Sequence, residues 1–214
     1  MADTRPLSIS RRTLVAWGLA ALPARAFAAR GKVVTILGDS ITAGLGLPAD
    51  LALPIQLHLA LEKMGVPNVV RGAGVSGDTS GDGAARMDFS IQPDTQVVVV
   101  ALGGNDLLQG VDTKVTQANL ARILTRLKAR HMGVVLAGLH APPEIGANYA
   151  RDFNAIFPSL ARTHRVALYP DLLAGVSRNG ALNQGDAIHP NAQGAKIIAT
   201  GLAKVVAREL AKRP

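Results

Sequence analysis

The chain has 214 residues, 48% of them hydrophobic and 18% charged, which is enough for one domain with a full core and too few for two ordinary ones. Its net charge of +8 raises nucleic acid as a partner, but the basic residues are scattered, and one Trp and two Tyr provide no series of stacking platforms for bases, so no nucleic acid is expected. The absence of Cys excludes disulfides, a thiolate nucleophile and zinc–thiolate sites.

In chain order, Ser10-Arg11-Arg12-Thr13-Leu14-Val15 leads into an apolar run from Leu14 to Leu22, and Ala26-Phe27-Ala28 places small residues where an export peptidase reads them. This pattern predicts a twin-arginine-type signal over residues 1–28, a periplasmic or secreted protein, and a single domain over 29–214. The run is shorter than the roughly 20 apolar residues that span a bilayer, so no stable membrane span is expected in the mature protein. An uncleaved anchor or a plain N-terminal extension are the other readings. Four Arg and one Asp lie in this segment, so without it the charge falls from +8 to +5.

Beyond residue 30, apolar β-branched runs alternate with segments of helical period. Lys32 to Leu37 reads as a buried strand, followed by a turn at Ser40 and a helix within Leu51 to Met64 that Gly65 and Pro67 end. A second strand is expected near Asn68 to Gly72. The next apolar run, Gln96 to Leu102 with four consecutive Val, suits only a strand covered on both faces, and so predicts the centre of the sheet. Leu120, Ile123, Leu124 and Leu127 mark a helix, Gly133 to Leu139 a fourth strand, and Phe153, Ile156, Phe157 and Leu160 another helix face. Val166 to Tyr169 is a short fifth strand. A last helix begins past Pro190, with Ile198, Leu202, Val205, Val206 and Leu210 inward and Lys204, Arg208 and Lys212 toward solvent. The alternation predicts an α/β three-layer sandwich: a flavodoxin-like, five-stranded parallel sheet with helices on both faces. Ligands of such sheets bind outside the carboxyl ends of the strands, which is where Ser40, Gly77 and Asn105 fall.

Four segments carry chemistry: Gly38-Asp39-Ser40-Ile41, Gly77-Asp78-Thr79-Ser80, Gly103-Gly104-Asn105-Asp106 and Asp186-Ala187-Ile188-His189-Pro190. A serine hydroxyl needs a base to become a nucleophile, and His189, with Asp186 three residues before it, supplies an imidazole and a carboxylate to orient it. Asn105 has a side-chain amide to donate, and Gly77 a backbone N–H unhindered by a β-carbon. With the Ser40 N–H these would surround an oxyanion. Taken singly, each has a plainer role: Ser40 as a helix N-cap, Asp186 and His189 as a loop pair, and Gly77 and Asn105 as turn residues. Their joint occurrence in order at strand ends is what points to acyl transfer. Asp39, Asp78 and Asp106 read as turn and network residues, and His58, His131, His140 and His164 lack metal-ligand spacing. Neither a dinucleotide fingerprint nor a phosphate loop is present, and the G-x-S-x-G elbow is absent.

The four blocks resemble those of the SGNH hydrolases, also called the GDSL esterase/lipase family, over nearly all of the chain from residue 32 onward. Ser76-Gly77-Asp78-Thr79-Ser80 and Leu102-Gly103-Gly104-Asn105-Asp106 look most like the bacterial periplasmic esterases with combined thioesterase, arylesterase and lysophospholipase activity. Ile41 stands where the family name has Leu. The resemblance implies Ser40 as nucleophile, Asp186 and His189 as its partners, and Ser40, Gly77 and Asn105 as the oxyanion hole. It also implies a small acyl ester or thioester as substrate, with no cofactor and no metal. Leu107, Leu108 and Pro142 are the candidate walls of an apolar acyl groove, although the two Leu equally suit a role in sealing the core. A carbohydrate O-acetyl esterase and a non-catalytic ligand-binding protein of the same fold are the alternatives. The first is weakened by the scarcity of aromatic side chains for sugar faces.

Overall fold

A computed structural model describes Met1 and residues 31–213; the segment read as an export signal, 1–28, lies outside the described residues except for Met1. Five strands form one parallel sheet: β1 (Lys32–Gly38), β2 (Asn68–Gly74), β3 (Val97–Ala101), β4 (Gly133–Ala137) and β5 (Ala167–Tyr169), in the order β2-β1-β3-β4-β5. This is the flavodoxin-like order expected, with β3 at the centre. Seven helices accompany the sheet among the described residues: α1 (Ser40–Ala43), α2 (Leu53–Lys63), α3 (Ser80–Ser90), α4 (Gly104–Gln109), α5 (Thr113–Ala129), α6 (Ala147–His164) and α7 (Ala192–Leu210).

The run of Val in β3 explains the layering. Successive strand side chains point to opposite faces, so Val97 and Val99 join Leu57 and Leu61 of α2 and Ile198, Leu202 and Val206 of α7. Val98 and Val100 instead join Met87 of α3, Leu120 and Leu124 of α5, and Phe153 and Phe157 of α6. All four Val are fully buried, which removes roughly 1.5–3 kcal/mol of apolar exposure per side chain. Val205, expected to point inward with the rest of α7, is half-buried at the edge of the first layer.

Two helices carry no sequence signal of their own. The short α4 is one turn and a half after β3. More instructive is α3, whose Ser-Gly-Asp-Gly-Ala-Ala-Arg-Met-Asp-Phe-Ser sequence lacks an apolar stripe. A capping box starts it: Thr79 accepts from the Asp82 N–H while the Asp82 carboxylate accepts from the Thr79 N–H. Topology supplied the missing signal, because β2 and β3 are parallel and the chain between them must cross the sheet.

Candidate active site

Three of the site segments follow the carboxyl ends of β1, β2 and β3, and the fourth, bearing Asp186 and His189, lies in the loop before α7. β1 stops at Gly38, and Asp39 caps the next turn by accepting from the Ile41 N–H at 3.0 Å. Ser40 therefore begins α1, with its side chain facing the edge of the sheet and only 8% of the residue exposed. Ser40 Oγ lies 2.8 Å from His189 Nε2, and His189 Nδ1 lies 2.6 Å from Asp186 Oδ2. An ionised carboxylate can only accept, so Nδ1 carries the proton and Nε2 is left to accept from the Ser40 hydroxyl.

The loop bearing His189 is shaped by Asp186. Its Oδ1 accepts from the N–H groups of Ile188 and His189 at 2.9 and 3.0 Å, which wraps the chain around the carboxylate and puts Ala187 at a positive φ of 60°. The bond from the His189 ring and these two amide bonds hold the Asp186 carboxyl down to about 2. Gln184, which sequence reasoning missed, stitches this loop to the one after α1. Its side-chain amide donates to Leu45 O at 2.8 Å and to Pro190 O at 3.0 Å, and its backbone N–H donates to His189 O at 2.8 Å. No local pattern distinguishes such a Gln, because its partners are 139 and 6 residues away.

Across from the histidine loop, residues 75–79 connect β2 to α3. Gly77 sits at φ +89° with open space where a β-carbon would project, and its N–H bonds to nothing among the described residues. Asn105, in the first turn of α4, donates one amide hydrogen to Asp78 O at 2.8 Å and keeps the other. Beneath them Asp106, completely buried, accepts from the Ser80 N–H at 2.7 Å, the Ser80 hydroxyl and the Thr116 hydroxyl at 3.0 Å. Three donors on one buried carboxylate tie α3, α4 and α5 together just below the Gly77 turn. Asp78 pairs with Arg86 of α3, another residue that the sequence did not single out.

The candidate groove residues differ in burial. Leu107 is half-buried against the α3–α5–α6 core, whereas Leu108 is 62% exposed. Pro142 lines a cavity of about 320 Å³ with His140, Asp171, Leu173 and Arg178. The recess beside Ser40 and His189, walled by Leu45, Leu47 and Pro190, has only about 10 Å³, too little for an acyl chain. His58 bonds Asn68, and among the described residues no group of His, Asp or Glu could hold a metal ion, nor is any helix long and apolar enough to cross a membrane.

Comparison with known proteins extends this picture. Esterase TesA of Pseudomonas aeruginosa is 34% identical over 180 residues, 84% of this chain and 90% of that protein. The Escherichia coli K12 protein named thioesterase 1/protease 1/lysophospholipase L1 is 36% identical over 178 residues, covering 83% and 84% of the two chains. The crystal structure of AlinE4, described as an SGNH-hydrolase family esterase, superposes with a TM-score of 0.71 at 38% identity, over 84% of this chain and 97% of that one. The model of the GDSL-like Lipase/Acylhydrolase family matches residues 36–197, from inside β1 to inside α7. That stretch takes in all the strand ends at which the hydroxyl, the amides and the imidazole are gathered, and the chain belongs to this family of hydrolases.

Proposed function

We propose that the protein is a serine esterase that cleaves carboxylic esters, and thioesters, of small acyl substrates through an acyl-enzyme. The observation that carries this reading is the unbroken chain of short contacts from Ser40 Oγ through the His189 ring to Asp186. As Oγ attacks the carbonyl carbon, His189 Nε2 takes its proton, and the negative charge that forms on the carbonyl oxygen faces the N–H groups of Ser40, Gly77 and Asn105. Collapse expels the alkoxide or thiolate, which takes the proton from His189. Water then enters by the same route and gives a proton to His189 as its oxygen attacks the acyl carbon, and collapse releases the acid as Ser40 Oγ takes that proton back. Asp186 stays ionised throughout and steadies the imidazolium.

Ester cleavage is supported by the names of the relatives, esterase and thioesterase/lysophospholipase, and of a further one from Vibrio mimicus called an arylesterase. Leu108, exposed three residues past Asn105, is the proposed first contact for the acyl chain, with Leu107 below it and Pro142 as a more distant wall. Residues 1–28 are proposed as the export signal that takes the enzyme out of the cytoplasm.

The test is covalent labelling by a fluorophosphonate, followed by kinetics on p-nitrophenyl esters. The label is expected on Ser40. Ser40→Ala and His189→Ala are expected to lower kcat by at least about 1000-fold, and Asn105→Ala by about 100- to 1000-fold. A folded Ser40→Ala protein with most of its activity would refute the assignment.

A further inference from the structure

Arg86 has no part in the proton transfers above, yet its guanidinium touches two of the segments that build the site, at Gly38 and Asp78, and the strand β2 that leads into the second. Nε donates to Asp78 Oδ2, and Nη2 donates to Gly38 O at 2.9 Å and to Ala73 O at 3.0 Å. Nη1 donates to Ser90 Oγ at 3.0 Å, which anchors the group within its own helix. Gly38 is two residues before Ser40, Ala73 four before Gly77, and Asp78 directly after it. The ion pair with Asp78 is shielded, its side chains being 21% and 11% exposed, so water competes weakly for these bonds.

Asp78 is the point where this fork meets the oxyanion donors. Its carboxylate accepts from Arg86 while its backbone carbonyl accepts from Asn105 Nδ2. Without the guanidinium, the Gly77 turn would keep the Val75 N–H bond to Gly38 O at 3.1 Å, the Asp78 N–H bond to Val75 O at 3.2 Å, the Asn105 bond to Asp78 O and the Ser80 N–H bond to Asp106, but the Asp78 carboxylate would lose its tie to the ends of β1 and β2. We propose that Arg86 is a positioning residue: it clamps the turn bearing Gly77, and through Asp78 the Asn105 amide, at a fixed place relative to the end of β1 and hence to Ser40. A planar group with several donors is required, since one ammonium cannot span two carbonyls and a carboxylate in fixed directions. The proposal rests on the reading of Gly77 and Asn105 as oxyanion donors.

Donors that act on the transition state and not on the resting ester alter kcat and leave KM nearly unchanged, and misplacement by about 1 Å costs on the order of 100-fold. Arg86→Ala is therefore expected to lower kcat about 100-fold with KM within about threefold of the parent. Arg86→Lys, which keeps the charge beside Asp78 without the fork, is expected to fall between the two. Guanidinium chloride, far below denaturing concentrations, is expected to raise kcat of Arg86→Ala about tenfold and to leave the parent unchanged. In the double variant Arg86→Ala/Asn105→Ala the losses are expected to be much less than multiplicative, because both act on one set of donors. Parental kcat in folded Arg86→Ala or in Arg86→Lys, a loss confined to KM, or strictly multiplicative losses would overturn the proposal. If Asn105→Ala alone is slowed and the Arg86 variants are not, the clamp fails while the oxyanion reading stands. An unaffected Asn105→Ala removes both. Should Arg86→Ala not fold, the kcat–KM split of Arg86→Lys decides.

Discussion

Asp39 precedes the nucleophile and is 5% exposed, and burial pushes its carboxyl up from an ordinary 3.8 to about 6 despite the bond it accepts from the Ile41 N–H. The charge of Asp78 adds to the rise, and His189 opposes it. The native state thus holds this proton more tightly than the unfolded chain does. Stability on this account is greatest below about pH 4, declines as the pH rises toward 6, and carries the whole cost above that. A shift of this size corresponds to at most about 3 kcal/mol. Asp39→Asn keeps an oxygen for the Ile41 N–H and removes the buried charge. It is expected to raise the free energy of unfolding in urea by about 1–3 kcal/mol at pH 7.5 and by almost nothing at pH 4; an equal change at both pH values would contradict this. Asp186 behaves oppositely: lowered to about 2, its contribution is present above the ordinary 3.8 and is lost only as the pH falls toward 2. The residues with reacting groups were legible in the sequence because their types and order are unusual together. Arg86 and Gln184 were not, since an Arg on a helix and a Gln in a loop take their meaning from partners that only folding supplies.

Among the elements, the strands were the most legible and α3 the least. Four Val in a row can be satisfied only between two layers, whereas α3 buries only Ser80, Gly83 and Met87, and no apolar stripe results. Near the site, the end of β2 packs backbone to backbone against the turn of α1. A β-carbon on Gly74 would collide with Asp39 O and the Ala43 N–H, which are backbone atoms that no side-chain rotation can move away. Gly74→Ala is therefore expected to lower stability by about 1–3 kcal/mol and to reduce kcat by displacing the turn that carries Ser40. Urea titration and steady-state kinetics would check both, and an unchanged midpoint would mean that the two elements can slide apart freely.

For the whole molecule, strand order sets the place of the chemistry. β1 lies between β2 and β3; the chain leaves β1 for the α2–α7 layer and leaves β3 for the α5–α6 layer. The loops after these two strands diverge, and Ser40 and Asn105 stand on either side of the opening. The basic excess belongs partly to residues 1–28, with Arg11 and Arg12 as the proposed export determinant. Replacing both by Lys keeps the charge and is expected to retain the enzyme in the cytoplasm, as measured by esterase activity in fractionated cells; undiminished activity outside would sink the proposal. A final consequence follows from the recess of about 10 Å³ beside the nucleophile. Neither Gly77 nor Asn105 lines it and it is too small for an alkyl tail, so on the proposed reading the tail lies outside it, toward Leu108, and no fixed depth of this recess measures the tail's length. Preference among tails is left to whatever they gain by lying along the outside, about 0.8 kcal/mol for each methylene that becomes covered.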